Sequence, residues 1–158
     1  MNGLLQNYMG FEGRLNRQRW WISGIVLGII QFIVMWIVGL IIPGSSMDPA
    51  AFTDPNAMMA MMGRIGWQSL IFGIIFAYPW LSITVKRRHD RNNNGYDAYG
   101  FVAVELLYYL VLGLGGLGFL GGVLGFVFLI YAIYILVVCG FQKGTAGANT
   151  YGPDPLGG

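Results

Sequence analysis

The chain has 158 residues, of which only 10% are charged, and its formal net charge is +2. Soluble domains are about one-quarter charged, so this composition excludes an ordinary soluble protein and favours a membrane protein, while the small net charge gives no support for nucleic-acid binding. The single cysteine, Cys139, excludes an intramolecular disulfide framework and a multi-cysteine metal site.

The first long apolar segment runs from residue 20 to residue 42 and contains no charged residue. A helix of this length spans roughly 34 Å at about 1.5 Å per residue, which is enough to cross the hydrocarbon core of a bilayer. The segment is too long for the apolar part of a cleavable signal peptide, so we predict an uncleaved anchor. Upstream, Arg14, Arg17 and Trp21 recur at helical spacing, which predicts a short interfacial helix over residues 10–21.

A second uncharged segment covers residues 65–85 and follows a predicted extracytoplasmic loop, residues 43–64. Within the loop, Asp54-Pro55 predicts a helix start, because proline is favoured at the first helical position. Five methionines lie in this region: Met47, Met58, Met59, Met61 and Met62. Clustered thioethers can bind Cu(I), but on a helix leading into the membrane they can simply enter the interface, so we predict no metal site. Pro79 predicts a kink in the second span.

The third apolar stretch, residues 101–141, is about twice as long as one crossing requires, and Glu105 is its only charged residue. Its middle is rich in glycine, which frees the backbone to turn. We predict two short spans, residues 101–118 and 122–141, and the alternatives are one long kinked helix or a re-entrant pair. The predicted fold is an all-α integral membrane protein, a single domain of about four transmembrane helices over residues 1–158.

A polar island, residues 86–97, separates the second and third apolar stretches and holds four of the nine basic residues and the only histidine. With four spans, the cytoplasmic loop 86–100, the N-terminal segment and the C-terminal tail 142–158 share one side of the membrane. That side then carries every Lys and Arg except Arg64. The positive-inside rule therefore predicts that both termini are cytoplasmic.

Three segments resemble signatures of a bacterial inner-membrane family, domain of unknown function family 805. The segments are Phe11-Glu12-Gly13-Arg14-Leu15-Asn16-Arg17-Gln18-Arg19-Trp20-Trp21, then Pro79 ahead of Lys86-Arg87-Arg88-His89-Asp90 with Gly95-Tyr96, and Gly144-Thr145-Ala146-Gly147-Ala148-Asn149-Thr150-Tyr151-Gly152-Pro153-Asp154-Pro155. The family pattern at the island is Arg-Arg-Leu-His-Asp, Gly, then Ser-Gly-Trp. Here Arg88 replaces the leucine, Asn92 and Asn94 replace the glycine and serine, and Tyr96 replaces the tryptophan. The resemblance implies an integral protein of the bacterial cytoplasmic membrane with no established biochemical role.

The conspicuous polar residues predict a binding surface for anionic lipid headgroups or another ligand, because basic residues beside the cytoplasmic leaflet attract anionic lipid at about 1 kcal/mol each. The candidate residues are Arg14, Arg17, Arg87, Arg88, His89, Asp90, Asn149, Tyr151 and Asp154. All three family motifs flank spans on the predicted cytoplasmic side. We therefore expect them to converge on one face.

Two adjacent island residues, His89 and Asp90, suggest acid–base chemistry, but neighbouring residues at a helix end point about 100° apart. In the structural alternative, Asp90 caps the helix or pairs with Arg87, and His89 forms a hydrogen bond with the backbone. Within the membrane, Glu105 and Gln31 are candidate functional polar residues. The expected partner of Glu105 is an arginine of the first or second motif. In the alternative, Glu105 itself is a neutral, hydrogen-bonded acid.

Three function classes fit the sequence. An accessory or assembly module that binds partner proteins or anionic lipid headgroups is preferred, because the polar residues lie at the interface. A small oligomeric transporter or channel would need a polar path, which the spans barely offer. A membrane enzyme acting on lipid or phosphate comes third. We predict no cofactor, no catalytic residue and no nucleic-acid partner; membrane lipids, further copies of the chain and other membrane proteins are the expected partners.

Overall fold

A computed structural model describes residues 4–41, 49–116 and 118–157, and it is built from helices. The elements are a 3-10 helix Leu4–Tyr8, α1 Arg17–Ile41, a 3-10 helix Pro49–Phe52, α2 Pro55–His89, α3 Tyr96–Gly113, α4 Phe119–Leu136 and a π-helical turn Val137–Phe141. No β-strand occurs in the described ranges. The prediction of an all-α membrane protein is confirmed.

Three helices are long and apolar enough to cross a membrane: α1, α2 and the continuous segment Phe119–Phe141. The fourth, α3, has 18 residues and carries Asp97 and Glu105. The stretch after residue 100 therefore forms two helices on either side of a glycine turn, as expected, while four crossings of the bilayer stay a prediction. The last residue of the predicted first span and the first part of loop 43–64, including Met47, lie outside the described residues.

The start of α2 follows the sequence signal. Asp54 is the N-cap, and its carboxylate accepts a hydrogen bond of 2.9 Å from the Asn56 N–H, while Pro55 occupies the first turn. The helix then continues unbroken through Pro79 to His89. Its 35 residues extend beyond the predicted span at both ends, so Lys86, Arg87 and Arg88 of the island occupy its last turn together with His89.

The N-terminal segment differs from the expected interfacial helix over residues 10–21. The short helix lies upstream, at Leu4–Tyr8, and α1 begins only at Arg17. Gly10 and Gly13 adopt left-handed backbone with φ of 67° and 85°, which interrupts a right-handed helix. Asn16 then opens α1, because its side-chain oxygen accepts a 2.8 Å hydrogen bond from the Arg19 N–H.

The helices pack in chain order, α1 against α2, α2 against α3 and α3 against α4. Residues 137–141 bring the end of α4 back to α1, but elsewhere in the described residues no Cα atom of α1 lies within 8 Å of one in α4. The bundle is therefore open between α1 and α4. The buried core cluster comprises Leu15, Trp20, Leu27, Phe72, Phe76, Ile83, Ile135 and Cys139.

Candidate functional site

The N-terminal segment, the end of α2 and the C-terminal tail meet at one end of the bundle, which we call the polar junction. A tight turn follows α2, with Asn92 at φ 56° and Gly95 at φ 73°. Asparagine and glycine tolerate this left-handed backbone, so the chain can reverse into α3 within a few residues. The turn keeps the basic end of α2 beside the start of α3.

Asp90 is the centre of the junction. One carboxylate oxygen lies 3.0 Å from a guanidinium nitrogen of Arg14, and the other pairs with Arg87. The side chains of Arg14, Arg87 and Asp90 are only 2%, 0% and 4% exposed. One carboxylate therefore balances two buried cations, and the three charges depend on one another.

The two arginines also fasten the C-terminal tail. Arg14 donates to the carbonyls of Thr145 and Gly147, each at 2.6 Å. Arg87 donates to the carbonyl of Cys139 at 2.7 Å and to that of Gln142. Guanidinium groups can serve a carboxylate and several carbonyls at once because they carry five donors in a fixed plane.

Arg88 forms a second ion pair that the sequence analysis missed. It lies 2.8 Å from a carboxylate oxygen of Asp97, and it donates to the Tyr134 hydroxyl at 3.3 Å. Tyr134 in turn donates to Asp97 at 2.9 Å, so α2, α3 and α4 are joined. Asp97 stands in the first turn of α3, where a carboxylate is favourable, and this was the available sequence signal. Tyr134 had none.

His89 and Asp90 serve separate partners. The Nδ1–H of His89 donates to the Gly13 carbonyl at 3.2 Å, and its ring stacks on Tyr151 with centroids 3.9 Å apart. The Asn149 amide donates to the His89 carbonyl at 2.9 Å. The contacts of the structural alternative are therefore present, Asp90 with Arg87 and His89 with the backbone, and residues of all three family motifs meet at the polar junction.

A further cation missed by the sequence analysis holds the N-terminal segment. The Lys86 ammonium donates to the carbonyls of Gln6 at 2.9 Å and Met9 at 2.6 Å. These carbonyls lie at and just past the C-terminal end of the first 3-10 helix, the negative end of a helix dipole, so a cation is favourable there. Lys86 itself is only 7% exposed.

Two predicted site residues lie at the margin of the junction. Arg17 is exposed and donates to the Phe141 carbonyl at 3.1 Å. Asp154 accepts hydrogen bonds from the backbone N–H groups of Leu156 at 3.0 Å and Gly147 at 2.8 Å. These bonds favour the ionised carboxylate and lower the pKa of Asp154. Asp154 therefore closes a turn of the tail.

Four basic side chains at this end remain at least partly exposed, and we call them the basic rim: Arg17, Arg19, Arg91 and Lys143. Glu12, in the N-terminal segment, is also exposed. The rim differs from the residues chosen from sequence, since only Arg17 belongs to both sets. Burial separates them: Arg87 and Arg88 face the protein, whereas the rim faces outward.

A cavity of about 420 Å³ lies between the four helices, next to the junction. Its polar wall includes Glu105, Gln31 and Thr84, and Trp80 donates to Gln31 at 3.2 Å. The expectation that Glu105 pairs with an arginine is wrong. Within the described residues Glu105 forms no ion pair, and Tyr109 is its hydrogen-bond partner. The arginines pair nearer the helix ends, whereas Glu105 lies roughly 12 Å beyond Asp97 along α3.

Metal ligands do not gather anywhere in the described ranges. No group of three or more His, Cys, Asp or Glu side chains there could hold a metal ion. The buried Cys139 contributes its carbonyl to Arg87, and its thiol lies in the apolar core. The chemistry available at the site is therefore ion pairing, hydrogen bonding and apolar contact.

A family model described as "Protein of unknown function (DUF805)" matches residues 8–153. "Inner membrane protein YhaH" of Escherichia coli (strain K12) is 26% identical over 152 residues, covering 96% of this chain and 92% of that protein. "Inner membrane protein YhaI" of the same strain is 24% identical over 153 residues, covering 96% and 91%. No solved structure matches the chain.

Proposed function

The chain belongs to the family of proteins of unknown function DUF805, and from this premise we propose that it is an accessory membrane protein that holds anionic phospholipid headgroups on its basic rim. The observation that carries the proposal is the separation of its cations into two groups. Arg14, Lys86, Arg87 and Arg88 have side chains buried against carboxylates or carbonyls, whereas the cations of the rim are at least partly exposed at the same end.

Burial and exposure give the two groups of cations different roles. A buried arginine that is already paired with Asp90 or Asp97 offers little to a lipid phosphate, since its charge and donors are taken. An exposed cation near a membrane surface attracts anionic lipid with about 1 kcal/mol, roughly a fivefold gain in binding. The buried junction therefore holds the segments that carry the rim in place, and the rim contacts the lipid headgroups.

The proposal includes a cytoplasmic position for the rim. The described parts of both tails contact the end of α2, so they lie at the same end of the bundle. Arg64, the one basic residue outside this end, lies 25 positions before His89, or roughly 38 Å along α2. The positive-inside rule then favours a cytoplasmic position for the tails and the rim.

Reporter fusions test this orientation. A green fluorescent protein at the C-terminus is expected to fluoresce and an alkaline phosphatase there to be inactive, because the first matures in the cytoplasm and the second in the periplasm. The same two reporters inserted after Thr53, in the opposite loop, should give the reverse pattern. An active phosphatase at the C-terminus would contradict the orientation.

Lipid binding is tested on the rim alone. The triple variant Arg19→Gln/Arg91→Gln/Lys143→Gln removes three cations whose side chains make no ion pair within the described ranges. At about fivefold per cation, affinity for phosphatidylglycerol should fall roughly a hundredfold. Native mass spectrometry of the protein released from mixed phosphatidylglycerol–phosphatidylcholine nanodiscs measures the lipid retained.

Arg64→Gln is the matched control, because it removes an exposed arginine from the far end of α2. It removes at most one cation's contribution, about fivefold, against roughly a hundredfold for the triple variant. Equal retention by the triple variant would count against headgroup binding at the rim. A partner protein that copurifies with the wild type and is lost from the triple variant would assign the rim to protein binding instead.

A further inference from the structure

The cavity between the four helices borders the gap between α1 and α4. α1 and α4 diverge beyond the junction, and no pair of their Cα atoms in the described residues comes within 8 Å. Both helices contribute to the wall, through Gly24 and Ile25 on α1 and Ala132 and Ile135 on α4. A molecule dissolved in the bilayer can therefore approach the cavity between these helices.

The wall is apolar and aromatic around one carboxyl group. Trp20, Trp80, Phe76 and Phe101 line the cavity together with Glu105. Among the residues that the structure describes, Glu105 is the only acidic one in the lining, and no basic residue lines the cavity. Tyr109 offers Glu105 a hydrogen bond but no countercharge, a carboxylate at this depth is costly without one, and aromatic faces attract cations.

The buried arginines of the protein form their ion pairs outside the cavity. Arg14 and Arg87 pair with Asp90, and Arg88 pairs with Asp97, so the ion pairs of the described residues leave Glu105 out. A volume of about 420 Å³ lies within the range of small-molecule sites. The geometry thus offers room for an apolar body and an acceptor for one positively charged head.

We propose that this cavity binds a lipophilic amine, with its ammonium group at the Glu105 carboxylate and its apolar body among Trp80, Phe76 and Phe101. The proposal is independent of headgroup binding at the rim, which lies outside the cavity. Anionic amphiphiles are excluded by Glu105. Neutral amphiphiles fit the apolar wall but lack the charge-assisted hydrogen bond.

Tryptophan fluorescence tests this site, because Trp20, Trp21 and Trp80 line the cavity. The probes are a bromoalkylamine and a bromoalkanol of equal chain length, added to the protein in phosphatidylcholine nanodiscs. The amine is expected to quench fluorescence saturably and more tightly than the alkanol. Glu105→Gln should weaken the amine at least about tenfold and leave the alkanol unchanged.

Ala132→Leu provides a second variant, since it adds volume to the cavity wall from α4 and keeps the Glu105 side chain. It should weaken both probes. If Glu105→Gln does not fold, the wild-type comparison still decides the matter. Equal, unsaturable quenching of the wild type by amine and alkanol would overturn the proposal, as would an unchanged amine affinity in folded Glu105→Gln protein.

Discussion

Asp90→Asn is expected to lower the free energy of unfolding by about 3–5 kcal/mol, because removing one charge strands two buried guanidinium groups. Arg14 and Arg87 both pair with this carboxylate, and their side chains are 2% and 0% exposed. Asparagine keeps the shape and one acceptor but supplies no negative charge. Unfolding in detergent micelles, followed by tryptophan fluorescence, measures the loss.

The matched control is Asp54→Asn. Asp54 is exposed and caps α2 through a side-chain oxygen, and asparagine is an equally good N-cap. This variant should unfold within about 0.5 kcal/mol of the wild type. Similar stabilities for the two variants would show that the junction charges do not stabilise the fold.

The contacts of Asp90 with two arginines also predict the result of exchanging the charges of Arg14 and Asp90. In Arg14→Asp/Asp90→Arg the new arginine would stand beside Arg87, which is three residues away and fully buried. One pair would be restored and a like-charge contact created. Rescue by exchange is therefore not expected, although the two residues are in contact, because one carboxylate serves two arginines.

Gly66→Ala is expected to cost about 1–3 kcal/mol or more, because the added methyl group meets backbone rather than a movable side chain. A Cβ atom at Gly66 would lie 2.2 Å from the Gly113 nitrogen and 2.6 Å from the Leu112 carbonyl carbon. α2 and α3 would have to separate at this crossing. The same unfolding experiment measures the effect.

Gly28→Ala is the control for helix propensity. A Cβ atom there meets nothing within 4 Å, and the residue lies inside α1. Alanine is the better helix former by up to about 1 kcal/mol, so this variant should be as stable as the wild type or slightly more stable. A Gly66→Ala protein as stable as Gly28→Ala would show that α2 and α3 do not cross closely.

Local features of the molecule followed from local sequence. Low charge and long apolar segments predicted the helices, since a segment in lipid must satisfy its own backbone. Asp54-Pro55 predicted the start of α2, and the asparagines with Gly95 predicted the tight turn after it. Each signal acts within a few residues, so it can be interpreted without the rest of the chain.

The N-terminal segment shows where such patterns fail. Arg14 and Arg17 recur at helical spacing, yet Arg14 lies before α1 and its side chain is buried, while Arg17 begins the helix and is exposed. The glycines at 10 and 13 turn the backbone so that Arg14 reaches Asp90, 76 positions away. Spacing alone could not separate an interfacial arginine from a buried one.

The sequence by itself determined that this is a helical membrane protein, and it predicted that every Lys and Arg except Arg64 lies at one end. Only the tertiary structure decided which of those cations are buried, that Arg88 pairs with Asp97, and that Glu105 stands in a cavity without an arginine. The reason is physical. Helix formation and hydrophobicity are properties of short segments, whereas the cost of a buried charge depends on partners brought together from distant parts of the chain.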